Sequence, residues 1–230
     1  MNAQGYPPLT GVRAAIIDLD GTMVHTAPDF QVAINRMRDE LDLPPLDLQT
    51  ITEFVGKGSE NLMRCVLGED FDADEVERRF EHALSRYQHH YLQINGQHSK
   101  LYPGVTDGLG VMQAKGLKLA CVTNKPIAFA RPLLEKTGLL PFFAVIYGGD
   151  SLPRKKPHPL PMLTVCADFG LTPSQVVAIG DSSNDAEAAR AAGCRVLTVP
   201  YGYNHGQPVQ SIDSDGIVES LLVAAHLLAA

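Results

Sequence analysis

Five short apolar runs constrain the fold of this chain most: residues 12–17, 117–122, 143–147, 176–179 and 196–199. They are too continuously apolar for strands with one wet face, which is the pattern of strands covered on both sides. From residue 101 onward the runs are separated by helical stretches near 105–114, 127–137, 160–169 and 186–192. That alternation predicts βαβ units and a parallel sheet, with a final amphipathic stretch at 217–228. Ligands of open parallel sheets bind beyond the carboxyl ends of the strands, so the residues directly after each run are the ones to inspect.

Residues 28–91 break the alternation and read as helical throughout. Phe30, Ala33, Ile34, Met37 and Leu41 recur at helical spacing, with Pro28 and Asp29 suited to the first turn and Pro44-Pro45 ending it. Leu48, Ile51, Phe54 and Val55 suggest a short second helix. Gly56-Lys57-Gly58 then forms a turn, with Ser59 as the N-cap of a third helix over 61–67. Val76, Phe80, Ala83, Leu84, Tyr87 and Tyr91 line one face of the longest helix, which starts at an Asp72 or Asp74 cap. The expected architecture is a doubly wound parallel α/β sheet carrying an inserted α-helical cap. Residues 1–24 and 101–230 form the core domain, and residues 25–100 form the cap.

The chain's 230 residues suffice to bury a core without covalent staples. Its four cysteines are scattered, with no zinc spacing, and are expected to be free and mostly buried thiols. A net charge of −7 argues against nucleic-acid binding, which needs clustered cations. Residues 1–10 lack a basic segment followed by an apolar one, and no apolar run is long enough to span a membrane. The expectation is a cytoplasmic protein with a small-molecule partner and neither nucleic-acid nor membrane partners, a homodimer being left open.

Four of the runs end in residues that suit a phosphate ester. The first leads into Asp18-Leu19-Asp20-Gly21-Thr22. Extended backbone through Asp20 points both carboxylates the same way, so that one can attack phosphorus while the other handles a proton. The competing reading is an Asp/Gly turn that closes a strand. The run at 117–122 ends in Thr123-Asn124-Lys125, where the Thr123 hydroxyl and the Asn124 N–H could hold a phosphate oxygen or cap the next helix. Lys156, with Pro157 behind it, projects into the cleft to neutralise phosphate charge or belongs to a solvated basic loop with Arg154 and Lys155. The run at 176–179 leads through Gly180 to Asp181 and Asp185. Asp18, Asp181 and the main-chain oxygen of Asp20 suit Mg2+, with Asp185 orienting waters or Lys156 behind them. The alternative makes Asp181 a helix cap and exposes Asp185.

Asp18-x-Asp20-Gly21-Thr22, Thr123, Lys156 and Gly180-Asp181-Ser182-x-x-Asp185 resemble, in order, the four motifs of the haloacid dehalogenase superfamily. More narrowly, Thr26-Ala27-Pro28-Asp29, Phe54-Val55-Gly56-Lys57-Gly58, Lys156-Pro157-His158-Pro159 and Gly202-Tyr203-Asn204-His205-Gly206 resemble the bacterial phosphoglycolate phosphatase family. The resemblance implies a Mg2+-dependent phosphatase of Rossmann-like core in which Asp18 forms an aspartyl-phosphate and Asp20 serves as acid and then as base. It also implies a cap closing through 56–58, with Gly58 and Lys57 at the substrate; Lys57 departs from the neutral polar residue the family leads one to expect and could meet a substrate carboxylate. The histidines do not form a ligand set. Hydrolysis of another phosphate monoester such as a sugar phosphate or nucleotide, a phosphomutase, and a phosphate-binding protein without turnover are the alternatives.

Overall fold

The computed structural model describes residues 8–229. The reading of residues 1–10 as free of a leader therefore falls mostly outside the described residues. In chain order the elements are β1 (Ala14–Ile17), β2 (Val24–His25), α1 (Ala27–Glu40), α2 (Leu48–Phe54), α3 (Ser59–Gly68), α4 (Ala73–Ile94), β3 (Lys100–Leu101), α5 (Val105–Ala114) and β4 (Lys118–Val122). They continue as α6 (Ile127–Lys136), β5 (Val145–Tyr147), α7 (Leu160–Phe169), β6 (Val176–Gly180), α8 (Ser183–Ala192), β7 (Arg195–Thr198) and α9 (Leu221–Leu227).

Five strands form one sheet in the order β5-β4-β1-β6-β7, and every neighbouring pair is parallel. β1 is central. Ile17 is in register with Cys121 of β4 and Ile179 of β6, so these three strands deliver their carboxyl ends at one level. Period-2 alternation splits the apolar runs between the two faces. Ala15, Ile17, Leu119 and Val177 pack with Leu109, Leu133 and Ala224 from α5, α6 and α9. Ala14, Ile16, Ala120 and Ala178 pack with Met162, Val165 and Ala188 from α7 and α8. Helices on both faces make the sheet doubly wound, as the continuous apolar runs require.

Helices α1 to α4 share a separate apolar cluster that includes Phe30, Ile34, Met37, Ile51, Met63, Phe80, Tyr87 and Tyr91, and Phe129 and Tyr203 join it from the sheet-bearing part of the chain. Where the chain leaves the sheet region and returns to it, β2 and β3 pair antiparallel. Two-residue strands carry too little periodicity to be read from sequence. Other departures are local. Gly58, at φ +89°, occupies the N-cap of α3 in place of Ser59, which is the first helical residue. Asp72 rather than Asp74 caps α4, accepting from the Glu75 N–H. Helix α8 starts earlier than its apolar pattern because its first turn is polar. The final helix starts only at Leu221, since Ile217 bridges to Thr198 beside the sheet. All four cysteines are free, three of them buried and Cys65 half-buried. Among the described residues no helix is long and apolar enough to cross a membrane.

Asp29, in the first turn of α1, is completely buried. It accepts from the N–H of Gly96 at 2.8 Å, the N–H of His98 at 2.7 Å and the Ser99 hydroxyl, which ties the outgoing connection to the returning one. Removing it leaves three donors of a part-buried connection without their acceptor, so Asp29→Ala should lower stability by about 1–3 kcal/mol. A lowered urea midpoint with an unchanged slope is the expected result; a midpoint equal to that of the parent protein would refute this role.

Candidate active site

Asp18 follows directly on β1 and is 8% exposed at the sheet rim. The chain turns there because Gly21 adopts φ +85°, and a Cβ at that position would run into the Asp181 carboxylate and the Tyr203 ring. Thr22 then donates its hydroxyl to Asp181 Oδ1 at 2.8 Å. The Tyr203 N–H donates to Asp181 Oδ2, so both carboxylate oxygens are held.

Lys156 is buried, which decides against the solvated basic loop. Its Nζ donates to Asp18 Oδ1 at 2.6 Å, to Asp185 Oδ1 at 2.6 Å and to the Val122 carbonyl at 2.7 Å, using all three protons. Lys155 is half-buried beside Glu60, 3.6 Å away. Asp185 is buried as well, and its other oxygen accepts from the Ser182 N–H and hydroxyl in a capping box that opens α8. The N-cap is thus Ser182, and Asp181 is left facing Asp18.

Thr123 and Asn124 do not cap α6. Its N-cap is Pro126, and the Ile127 N–H is taken by Asp150 Oδ1 at 2.8 Å. Asn124 instead donates through Nδ2 to the Gly56 carbonyl at 2.9 Å and to the Lys156 carbonyl at 2.9 Å. Asn184 also reaches the Gly56 carbonyl, at 3.3 Å, and contacts His205 Nε2 at 3.1 Å. The glycine turn at 56–58 is thereby docked on the rim of the sheet.

A cleft of about 560 Å³, open mouth included, brings Asp18, Asp20, Thr123, Asn124, Lys156, Asp181, Asp185 and Gly58 together. Lys57 is exposed and does not line it. A cation that does line it is Lys125, buried and 3.0 Å from Asp20 Oδ1, with its Nζ 4.4 Å from the Phe30 ring centre and 4.6 Å from that of Tyr91. Its signal was its place at a strand end, directly after Thr123 and Asn124.

Carboxylate oxygens of Asp18, Asp181 and Asp185 all lie within 4.8 Å of one another. Burial pushes the Asp18 carboxyl from an ordinary 3.8 up to about 7; Lys156 opposes the shift, and Asp185 and Asp20 add to it. Burial, followed by Asp18 and Asp185, also holds Asp181 well above the usual carboxylate range. Burial works against the Lys156 ammonium, yet Asp18 and Asp185 keep its pKa above the ordinary lysine value. Burial lowers that of Lys125 in spite of Asp20. Three buried carboxyl groups this close together, with burial raising the pKa of Asp18 and Asp181, form a set of hard oxygen donors whose chemistry fits a divalent cation.

A central strand ending in two acids, with a buried lysine and a second pair of acids beside them, defines a haloacid dehalogenase-like hydrolase, and the family model of that description matches residues 15–199. Relatives called phosphoglycolate phosphatase, from Thiobacillus denitrificans and Nitrosospira multiformis, are 46% and 45% identical, each alignment covering 94% of this chain and 96% of the relative. The crystal structure of a predicted phosphoglycolate phosphatase from Haemophilus somnus superposes with a TM-score of 0.89 at 32% identity, covering 95% of this chain and 98% of that one. Within these hydrolases, the chain belongs to the phosphoglycolate phosphatase family.

Between pH 3.8 and about 7 the folded protein holds the Asp18 proton while the unfolded chain has released it. The stability this carboxyl contributes is present below that window and is lost as pH rises through about 7. Thermal denaturation in EDTA should therefore show a midpoint falling with pH across the window. Asp18→Asn should make that fall shallower, and an unchanged slope in the variant would contradict the assignment.

Proposed function

We propose that this chain is a cytoplasmic Mg2+-dependent phosphatase that hydrolyses 2-phosphoglycolate to glycolate and phosphate through an aspartyl-phosphate on Asp18. The observation that carries this reading is the convergence of Asp18, Asp20, Lys156 and Asp181 on one cleft at the sheet rim. Relatives named phosphoglycolate phosphatase at up to 46% identity support the choice of substrate.

Asp18 attacks phosphorus, and Asp20 protonates the departing alkoxide. Water then cleaves the aspartyl-phosphate with Asp20 as base. Lys156 neutralises charge on the nucleophile and on the transferred phosphoryl group, and Thr123 with the Asn124 N–H donates to its oxygens. Asp18, Asp181 and the Asp20 main-chain oxygen would hold Mg2+, which would supply further charge neutralisation. Asp185 keeps Lys156 aimed. Residues 25–100 act as a cap on a core of residues 1–24 and 101–230, and they exclude water from the first step. Gly58 belongs to the closing turn, and Lys57 adds positive potential at its edge.

Phosphate release from 2-phosphoglycolate should require Mg2+ and stop in EDTA. Asp18→Asn should reduce turnover by at least about a thousandfold while the circular dichroism spectrum is retained. Turnover at the parent rate in that variant would eliminate Asp18 as nucleophile.

A further inference from the structure

The two cations lining the cleft have different surroundings. Lys156 is saturated by Asp18, Asp185 and the Val122 carbonyl, which leaves none of its protons for the part of a substrate beyond the phosphate. Lys125 makes one ion pair, with Asp20, and its other neighbours include ring faces contributed by α1 and α4. Such faces attract and pin an ammonium without consuming its protons. Tyr91, which supplies one of those faces, also lines the cleft, and its buried hydroxyl has no hydrogen-bond partner among the described residues. An ammonium with protons to spare and an unpartnered phenol lining the same cleft are donors suited to an anion.

We infer that Lys125, assisted by the Tyr91 hydroxyl, binds the substrate's carboxylate and selects short phosphate monoesters that carry one. The inference rests on the proposed phosphatase reading, in which Asp20 meets the bridging oxygen. In a phosphorylated 2-hydroxy acid the carboxylate is separated from that oxygen by a single carbon. A cation 3.0 Å from Asp20 is therefore within reach of it. Phe30, Val55, Leu62 and Phe129 line the same cleft and offer no partners to sugar hydroxyls. Lys57 is the weaker candidate, because an exposed ammonium is screened by water whereas a buried one acts at low dielectric.

The test compares kcat/KM for 2-phosphoglycolate and for its carboxamide, 2-phosphoglycolamide, which keeps the ester and the chain length and loses the charge. The parent enzyme should prefer the acid by about ten- to a hundredfold. Lys125→Met should bring that ratio close to one, Lys125→Arg should recover part of it, and Tyr91→Phe should lower it by a smaller factor. Any general loss through Asp20 affects both substrates and cancels in the ratio. Lys125→Gln, which retains a donor to Asp20, serves if the methionine variant does not fold. A ratio unchanged in the neutral variants, or lost in Lys57→Ala and kept in Lys125→Met, overturns the inference. A parent enzyme that releases no phosphate from 2-phosphoglycolate overturns the proposed function instead.

Discussion

The buried ammonium of Lys156 is the interaction on which the site depends. It sits between Asp18 at the end of β1 and Asp185 in the first turn of α8, with its third proton on the last carbonyl of β4. One side chain thus fixes the relative positions of three elements. Breaking a buried pair by removing one partner leaves an uncompensated charge, far costlier than the pair's net value. With Asp181 included, three buried carboxylates face a single ammonium, and full ionisation leaves two negative charges uncompensated. Burial and that excess together raise the pKa of both Asp18 and Asp181. A divalent cation would meet it without protons, leaving Asp18 ionised near neutral pH as the proposed nucleophilic role requires.

The helical part of the chain reaches the same site by weaker means. The Gly56 carbonyl is held by the amides of Asn124 and Asn184, and Phe30 and Tyr91 close over Lys125. Neutral hydrogen bonds of this kind contribute about 1 kcal/mol each. Opening the cleft at the glycine turn is therefore cheap beside any disturbance of Lys156. Groups assigned to bond making sit on the sheet rim, and so does Lys125, which the helical part covers with Phe30 and Tyr91.

Strand ends were legible because continuous apolar runs admit few readings once helices cover both faces, and the acids and lysine follow those runs directly. Helix α1 was legible for a similar reason, its apolar residues spelling out one stripe. What sequence left open was settled by partners distant along the chain. Thr123 and Asn124 had two readings, and Asp150, from the loop after β5, removes the capping one by taking the Ile127 N–H. Lys57 lies between two glycines and Lys125 between Asn124 and Pro126, and that local pattern does not say which is buried. That difference arises when α1 and α4 fold back over the sheet rim. Asp29 looked like a first-turn acid, and its three acceptor contacts appear only when residues 96–99 return to it.

Close backbone approach explains why the acids are buried so deeply. Gly21 and Gly202 both lie against the Asp181 carboxylate, and a Cβ on either would overlap it. Two stretches far apart in sequence therefore pack backbone on a charged group, where side chains would hold it nearer to water. Burial is the largest contribution raising the Asp181 pKa, so this closeness is an electrostatic device as well as a packing one. The oxygens accept from Thr22 and from the Tyr203 N–H, which orient the group but do not cancel its repulsion from Asp18. A carboxylate fixed in direction and kept short of counter-charge is pre-organised for a cation. An alanine at either glycine would have to push Asp181 aside, and both the orientation and the shortage of charge would go with it.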